Sequence, residues 1–181
     1  DSLYDKDFGK EIKWDIPLLN GYDFDFVKNV SANPGPGSYK GIDCAELNHT
    51  IQQWGADALL IFGWNYKAHF SAMKFFKGKI PVYFRGDSTL LDETKSIKIF
   101  LRRLTLTWVY KYIDGAFYVG QNNKAYFLKH GLRENELSFA PHAIDIQRFS
   151  DENNAYQQSA DTWRKELAIP QQAIVILFVG K

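Results

Sequence analysis

The sequence is poor in the residues that commit a chain to disulfide or metal architecture. Of 181 residues only one, Cys44, is cysteine and one is methionine. No disulfide framework can form within the chain, and Cys44 has no Cys or His neighbour at metal-ligand spacing. It reads as a small, half-buried residue at a helix start rather than a reactive thiol. An excess of one charge is also missing, since 22 Lys and Arg face 21 Asp and Glu for a formal net charge of +1. That balance leaves no electrostatic footprint for general nucleic-acid binding. Apolar runs such as Ala173 to Val179 fall far short of the roughly 20 residues that span a bilayer. The acidic start has no signal-peptide layout, so the expectation is a cytoplasmic protein. Among the four histidines no pair has metal spacing, and neither a Gly-x-Ser-x-Gly elbow nor a Gly-x-x-x-x-Gly-Lys-Ser/Thr loop occurs. Hydrolase and P-loop readings drop out.

What is present is 45% hydrophobic and 16% aromatic, enough for one domain with a sizeable core. From Trp54 onward, short apolar runs alternate with longer amphipathic stretches, the signature of βαβ construction and a parallel sheet. The runs are Ala58 to Phe62, Ile80 to Phe84, Gly115 to Val119 and Ala173 to Val179, with Leu137 to Ala140 a weaker one. Each is nearly continuous, as in strands buried on both faces. The periodicity predicts helices over Asp43 to Trp54, Tyr66 to Phe76, Ser96 to Tyr112, Asn122 to Lys129 and Ser159 to Leu167. In the third, Ile97, Phe100, Leu101, Leu104 and Trp108 share one face, expected to be core. Gly131 is placed to end the fourth helix, and Ser159 to cap the last before Pro170 closes it.

Asp1 to Tyr39 has few regular periods and ends in Asn33-Pro34-Gly35-Pro36-Gly37-Ser38, a loop-forming stretch. It reads as a loop-rich elaboration. No βα unit with a glycine-rich turn precedes it, so a doubly wound sheet would lack an expected first strand. At the other end, Gly180-Lys181 stops where a strand should turn into its next loop.

In such sheets ligands sit beyond the carboxyl ends of the strands. The residues there are Gly63-Trp64-Asn65-Tyr66-Lys67, Arg85-Gly86-Asp87-Ser88-Thr89, Gly120-Gln121-Asn122-Asn123-Lys124 and Pro141-His142-Ala143. Arg85, Gly86, Asp87 and Ser88 join a cation, an acid and a hydroxyl in one turn that can hold sugar hydroxyls or a phosphate. A plain Arg85–Asp87 ion pair shaping the turn is the alternative. Trp14, Asp15 and Tyr22 combine aromatic faces with a carboxylate beside Gly21, which suits stacking on sugar rings; a packed covering loop is the alternative. His49 and His130 fall on helix positions and read as structural, His69 fits either role, and His142 is the best placed for function.

Together these stretches resemble glycosyltransferase family 4, in particular a bacterial branch whose N-terminal halves carry Trp-Asp-(Ile/Val)-Pro-Leu-Leu-x-Gly-Tyr, as Trp14 to Tyr22 does here. The likeness continues through Pro81 to Ser88, Tyr118 to Asn123 and Phe139 to Asp145 with Phe149, in order over almost the whole chain. Val175 to Lys181 is similar to the first strand of that family's C-terminal half. Two departures stand out: many members have His where this chain has Arg85, and the family's glycine-rich loop after its first strand is missing.

The resemblance implies an α/β, Rossmann-like N-terminal half of a GT-B fold, with a parallel sheet and helices on both faces. Residues 1–168 would be the acceptor-side domain, with 1–40 its elaboration, and 169–181 the start of a donor-binding domain. It further implies sugar transfer from a nucleotide-sugar co-substrate to an acceptor hydroxyl with retention, in bacterial polysaccharide or glycoconjugate synthesis, without a bound metal or other cofactor. The acceptor, a glycan or glycolipid, would meet Trp14, Asp15, Tyr22, Trp64, Asn65, Arg85, Gly86, Asp87, Ser88, Asn122 and His142. Arg85 and Asp87 are the best catalytic candidates, and Lys181 would face the donor diphosphate. The partners implied are the donor-binding domain and, peripherally, the inner face of a membrane. This half by itself is expected to be inactive. A non-catalytic sugar-binding or partner-docking α/β module remains the alternative.

Overall fold

Four of the apolar runs form strands of one parallel sheet. The computed structural model describes residues 2–5, 9–13, 17–91, 96–150 and 154–177, and by its contacts the chain divides into two units, Asp1–Pro141 and His142–Lys181. The first unit opens with an antiparallel pair, β1 (Ser2–Asp5) and β2 (Lys10–Lys13), in the register Ser2 to Lys13 through Asp5 to Lys10. This pair was not legible in the sequence, because runs of four residues are too short to show a period, whereas residues 17–38 form no helix or strand.

The sheet that follows consists of β3 (Leu59–Phe62), β4 (Val82–Arg85), β5 (Gly115–Tyr118) and β6 (Leu137–Phe139), in that spatial order and all parallel. Between and before them lie α1 (Leu47–Trp54), α2 (Lys67–Phe76), α3 (Ile97–Val109) and α4 (Gln121–Lys129). The architecture is α/β and Rossmann-like. Ser96 caps α3 by accepting from Ile99 N at 3.4 Å, and Gly131, at φ +101°, lies just past His130, the cap of α4, as its left-handed preference requires. At the amino ends of the strands, the Asp114 carboxylate accepts from Val82 N at 2.9 Å and from the Lys77 ammonium.

The core of this unit is one cluster in which Ile61, Val82, Phe84 and Ala116 of the strands meet Met73, Phe76, Leu106, Val109 and Phe127 of the helices. Each large side chain so buried contributes about 1.5–3 kcal/mol. Burial alternates along β3 and β4, however, and Leu60 and Phe62 are exposed. The continuous apolar run at β3 therefore does not mark burial on both sides, because in the described sheet β3 has a neighbour only at β4.

Helix α3 departs further from expectation. Its buried residues are Leu106 and Val109, whereas the stripe expected to be core is open to solvent: Ile97 is 71%, Phe100 56%, Leu101 55%, Leu104 54% and Trp108 46% exposed. The helix is apolar on two sides, and periodicity does not say which side meets the sheet.

The segment from 17 to 46 is held by local polar contacts. Asn29 donates to Gly41 O at 2.9 Å and accepts from Asp43 N at 3.0 Å, Gly35 N donates to Gly41 O at 3.1 Å, and Lys67 pairs with Asp43 at 2.5 Å. Cys44 is half-buried ahead of α1, and burial first, then the Asp43 charge, raises its thiol pKa, which disfavours the nucleophilic thiolate.

In the second unit, α5 (Ile146–Phe149) is capped by Asp145, which accepts from Arg148 N at 3.1 Å. Helix α6 spans Ala155–Glu166, with Asn154 as its left-handed cap. Ser159, expected as that cap, sits inside the helix and donates to Ala155 O. Residues 173–177 of the expected last strand form no strand. No described strand pairs with them, and a strand without a ladder partner has no place for its backbone hydrogen bonds. Arg164 instead donates to Pro170 O at 2.9 Å and Ala173 O at 3.0 Å.

Candidate functional site

The carboxyl ends of β3 and β4 open into a pocket of about 310 Å³ within the first unit. Its sides come from three places in the sequence. Gly63, Trp64 and Asn65 follow β3, Gly86, Asp87 and Ser88 follow β4, and Arg102 projects from α3. Phe84, Tyr110, Tyr126 and Phe127, all buried, complete it. The result is an aromatic floor with an exposed amide, carboxylate, hydroxyl and guanidinium around it.

Two glycines permit this geometry. Gly63 has φ +78°, a conformation that side chains other than Gly rarely adopt; its N–H donates to Arg85 O at 3.1 Å, joining the two strand ends. Gly86 lies so close to Phe84 that a Cβ there would stand 3.1 Å from its ring. His69, half-buried on α2, has Nδ1 3.2 Å from the Gly63 carbonyl. That contact requires Nδ1 to carry the proton, leaving Nε2 as an acceptor. Burial lowers the imidazole pKa more than this hydrogen bond raises it.

The floor is fixed by packing and by one amide. Phe84 stacks edge-on to Phe127 with centroids 5.9 Å apart, and Tyr110 to Phe127 at 5.8 Å. Burial pushes the Tyr110 phenol well above its ordinary range, Tyr126 adds to that rise and Arg102 opposes it, so its hydroxyl stays protonated. Arg102 lies 5.7 Å from the Tyr126 ring centroid, within cation–π reach. Asn123, only 2% exposed, accepts from Val119 N at 3.0 Å and donates to Ser88 O at 2.8 Å. It thereby ties the start of α4 to the loop after β4.

Of the residues singled out in the sequence, Trp64, Asn65, Gly86, Asp87 and Ser88 come together here. Arg85 does not line this pocket: it alternates with Phe84 on β4, and its guanidinium donates to Pro141 O at 3.0 Å. No ion pair joins it to Asp87. Asn122 is exposed while its neighbour Asn123 is the buried one. Tyr22 is exposed and donates to Leu18 O within its own loop. His142 is exposed in the second unit. Trp14, Asp15 and Lys181 lie outside the described residues.

Sequence reasoning missed Arg102, Tyr110, Tyr126 and Phe127, and in the stretch after β5 it singled out Asn122 rather than Asn123. The α4 set carried a usable signal, because Asn123, Tyr126 and Phe127 recur at i, i+3 and i+4 and share a helix face. No family model matches the chain, and no curated protein matches it significantly.

Proposed function

We propose that the chain is the acceptor-binding half of a retaining glycosyltransferase of the two-domain GT-B kind, acting in the synthesis of a bacterial polysaccharide or glycoconjugate. The observation that carries this reading is the pocket itself. Trp64, partly exposed above the buried aromatic floor, offers an apolar face for the C–H side of a sugar ring, and Asn65, Asp87, Ser88 and Arg102 around it can hydrogen-bond several hydroxyls at once. Its place at the carboxyl ends of parallel strands is where ligands bind in this architecture.

In this reading Asp87 accepts hydrogen bonds from acceptor hydroxyls and Trp64 borders the ring. Asn123 holds the Ser88 loop in place, and Arg85 acts on position rather than on substrate, through the Pro141 carbonyl. The nucleotide sugar is supplied from a separate donor-binding half. Glycoside hydrolysis by paired carboxylates is disfavoured, because Asp87 is the one carboxylate among the described lining residues and that chemistry needs two.

A non-catalytic sugar-binding module is the second reading, and the same lining favours it, since it has binding groups and no histidine among its described residues. Titration of the chain with methyl glycosides, followed by ligand-observed NMR, tests what both share. Asp87→Asn should weaken binding by at least about tenfold, since a hydrogen bond to a charged group contributes about 1.5–3 kcal/mol, and Trp64→Ala should weaken it by removing the apolar face beside the ring. A chain that binds no glycoside, or binds indifferently to both changes, would refute the assignment. Transfer from a nucleotide sugar once a donor half is supplied separates the enzyme from the module.

A further inference from the structure

Helix α3 turns Leu106 and Val109 into the core, and at about 100° per residue Arg102 falls on that same side, one turn nearer the amino end. There the core opens into the pocket beyond β3 and β4, which Arg102 and Tyr110 both line. The Arg102 charge is unanswered within the chain. From Ser96 to Tyr112 the sequence holds no Asp or Glu, so no carboxylate stands three or four residues away along the helix. Asp87 shares the pocket, yet among the described residues no ion pair reaches the guanidinium. Its neighbour is the Tyr126 ring, with the centroid 5.7 Å away, which places the cation without neutralising it.

Tyr110 is the second group whose bonding is unmet. It is only 6% exposed, and among the described residues its hydroxyl has no hydrogen-bond partner, although buried polar groups are nearly always satisfied. The charge of Arg102 acts on this phenol, so the two donors are close together. Burial keeps the hydroxyl protonated and able to donate.

We infer that Arg102 and Tyr110 form a subsite for the carboxylate of an acidic sugar, so that the glycan bound here presents a uronate ring. The inference rests on the acceptor-binding reading above and names a substrate class for it. Charge selects a carboxylate over a phosphate. The described lining carries one cation, Arg102, and one anion, Asp87, whereas a phosphate monoester brings a charge of about −1.5 to −2 and would share the pocket with Asp87 incompletely neutralised. A carboxylate brings one charge and two oxygens. The planar guanidinium fork matches those oxygens, and the phenol adds a further donor. The ring hydroxyls are left to Asp87, Asn65 and Ser88, so the two opposite charges fix which way round the ring enters.

The test is titration of the full chain, followed by ligand-observed NMR, with methyl glucuronide, methyl glucoside and glucose 6-phosphate at one ionic strength. The glucuronide should bind at least about tenfold more tightly than the glucoside, and more tightly than glucose 6-phosphate. Arg102→Gln should abolish the preference for the glucuronide, and Arg102→Lys, which keeps the charge but not the fork, should recover part of it. Tyr110→Phe removes one oxygen that satisfies nothing in the chain, so it should reduce the preference while the thermal midpoint holds or rises. A glucoside bound as tightly as the glucuronide overturns the inference and leaves the acceptor-binding reading standing. So does tighter binding of glucose 6-phosphate, or an Arg102→Gln variant that weakens both glycosides alike and keeps their ratio, which would confine Arg102 to holding Tyr126. Failure of all three sugars to bind overturns both readings.

Discussion

Replacing Asn123 by alanine removes the amide that joins the start of α4 to the loop after β4. The Val119 N–H and the Ser88 carbonyl lose partners at 3.0 and 2.8 Å. Each bond contributes about 1 kcal/mol net, and an orphaned buried group costs about 1–3 kcal/mol. Ser88 is exposed, so water can recover its carbonyl, which puts the expected loss near the low end at about 2 kcal/mol. With a urea slope of about 2 kcal/mol/M, the unfolding midpoint should fall by about 1 M. Asn123→Asp sharpens the test. One carboxylate oxygen can still accept from Val119 N, but the other replaces the amide nitrogen and faces the Ser88 carbonyl, so the ionised form is repelled. The folded-state pKa of the new acid is then raised above its unfolded value of about 3.9. Its penalty is absent below that value, grows as pH rises toward the folded pKa, and is constant above it. The stability gap between wild type and Asn123→Asp should therefore narrow as pH is lowered from 7 toward 4, while the gap for Asn123→Ala should not. An alanine variant within about 0.5 kcal/mol of wild type, in the range of ordinary surface substitutions, or an aspartate variant whose gap ignores pH, would refute this account of the loop.

Gly41→Ala tests the loop before α1, because its Cβ would stand 1.9 Å from the Gly35 carbonyl oxygen, and a backbone atom cannot swing aside. Overpacking of this kind costs about 1–3 kcal/mol; an unchanged denaturation midpoint would contradict the close approach. His69→Gln tests the imidazole behind Gly63. The His69 pKa is lowered on folding, first by burial, so its contribution to stability is complete above the unfolded value of about 6.5 and is lost as pH falls through the folded value. Thermal midpoints measured from pH 7 to 5 should show wild type losing ground relative to His69→Gln, and parallel curves would show that His69 is not held neutral.

The parallel strands were legible because their apolar runs are short, separated by amphipathic stretches and followed by Gly or polar residues. β3, β5 and β6 accordingly fall inside the runs read from the sequence, β4 passes the end of its run by one residue, Arg85, and Gly131 closes α4 where its left-handed preference puts it. Trp64, Asn65, Gly86, Asp87 and Ser88 were legible for a topological reason, since the strand that delivers a loop to the carboxyl edge is itself visible in the sequence. The β1–β2 pair was not, because its pairing joins two runs of four residues that show no period.

Local chemistry, carried by the chain itself, determined where β3 to β6 and the helices between them form, and which loops reach the carboxyl edge of the sheet. Tertiary packing decided the rest, because it compares faces that look alike in one dimension. On α3, Leu106 and Val109 met the sheet and left an equally apolar stripe outside. On β4, alternation sent Phe84 to the pocket floor and Arg85 to the Pro141 carbonyl. On α4, one residue of helical rotation separated exposed Asn122 from Asn123, the amide that holds the site together.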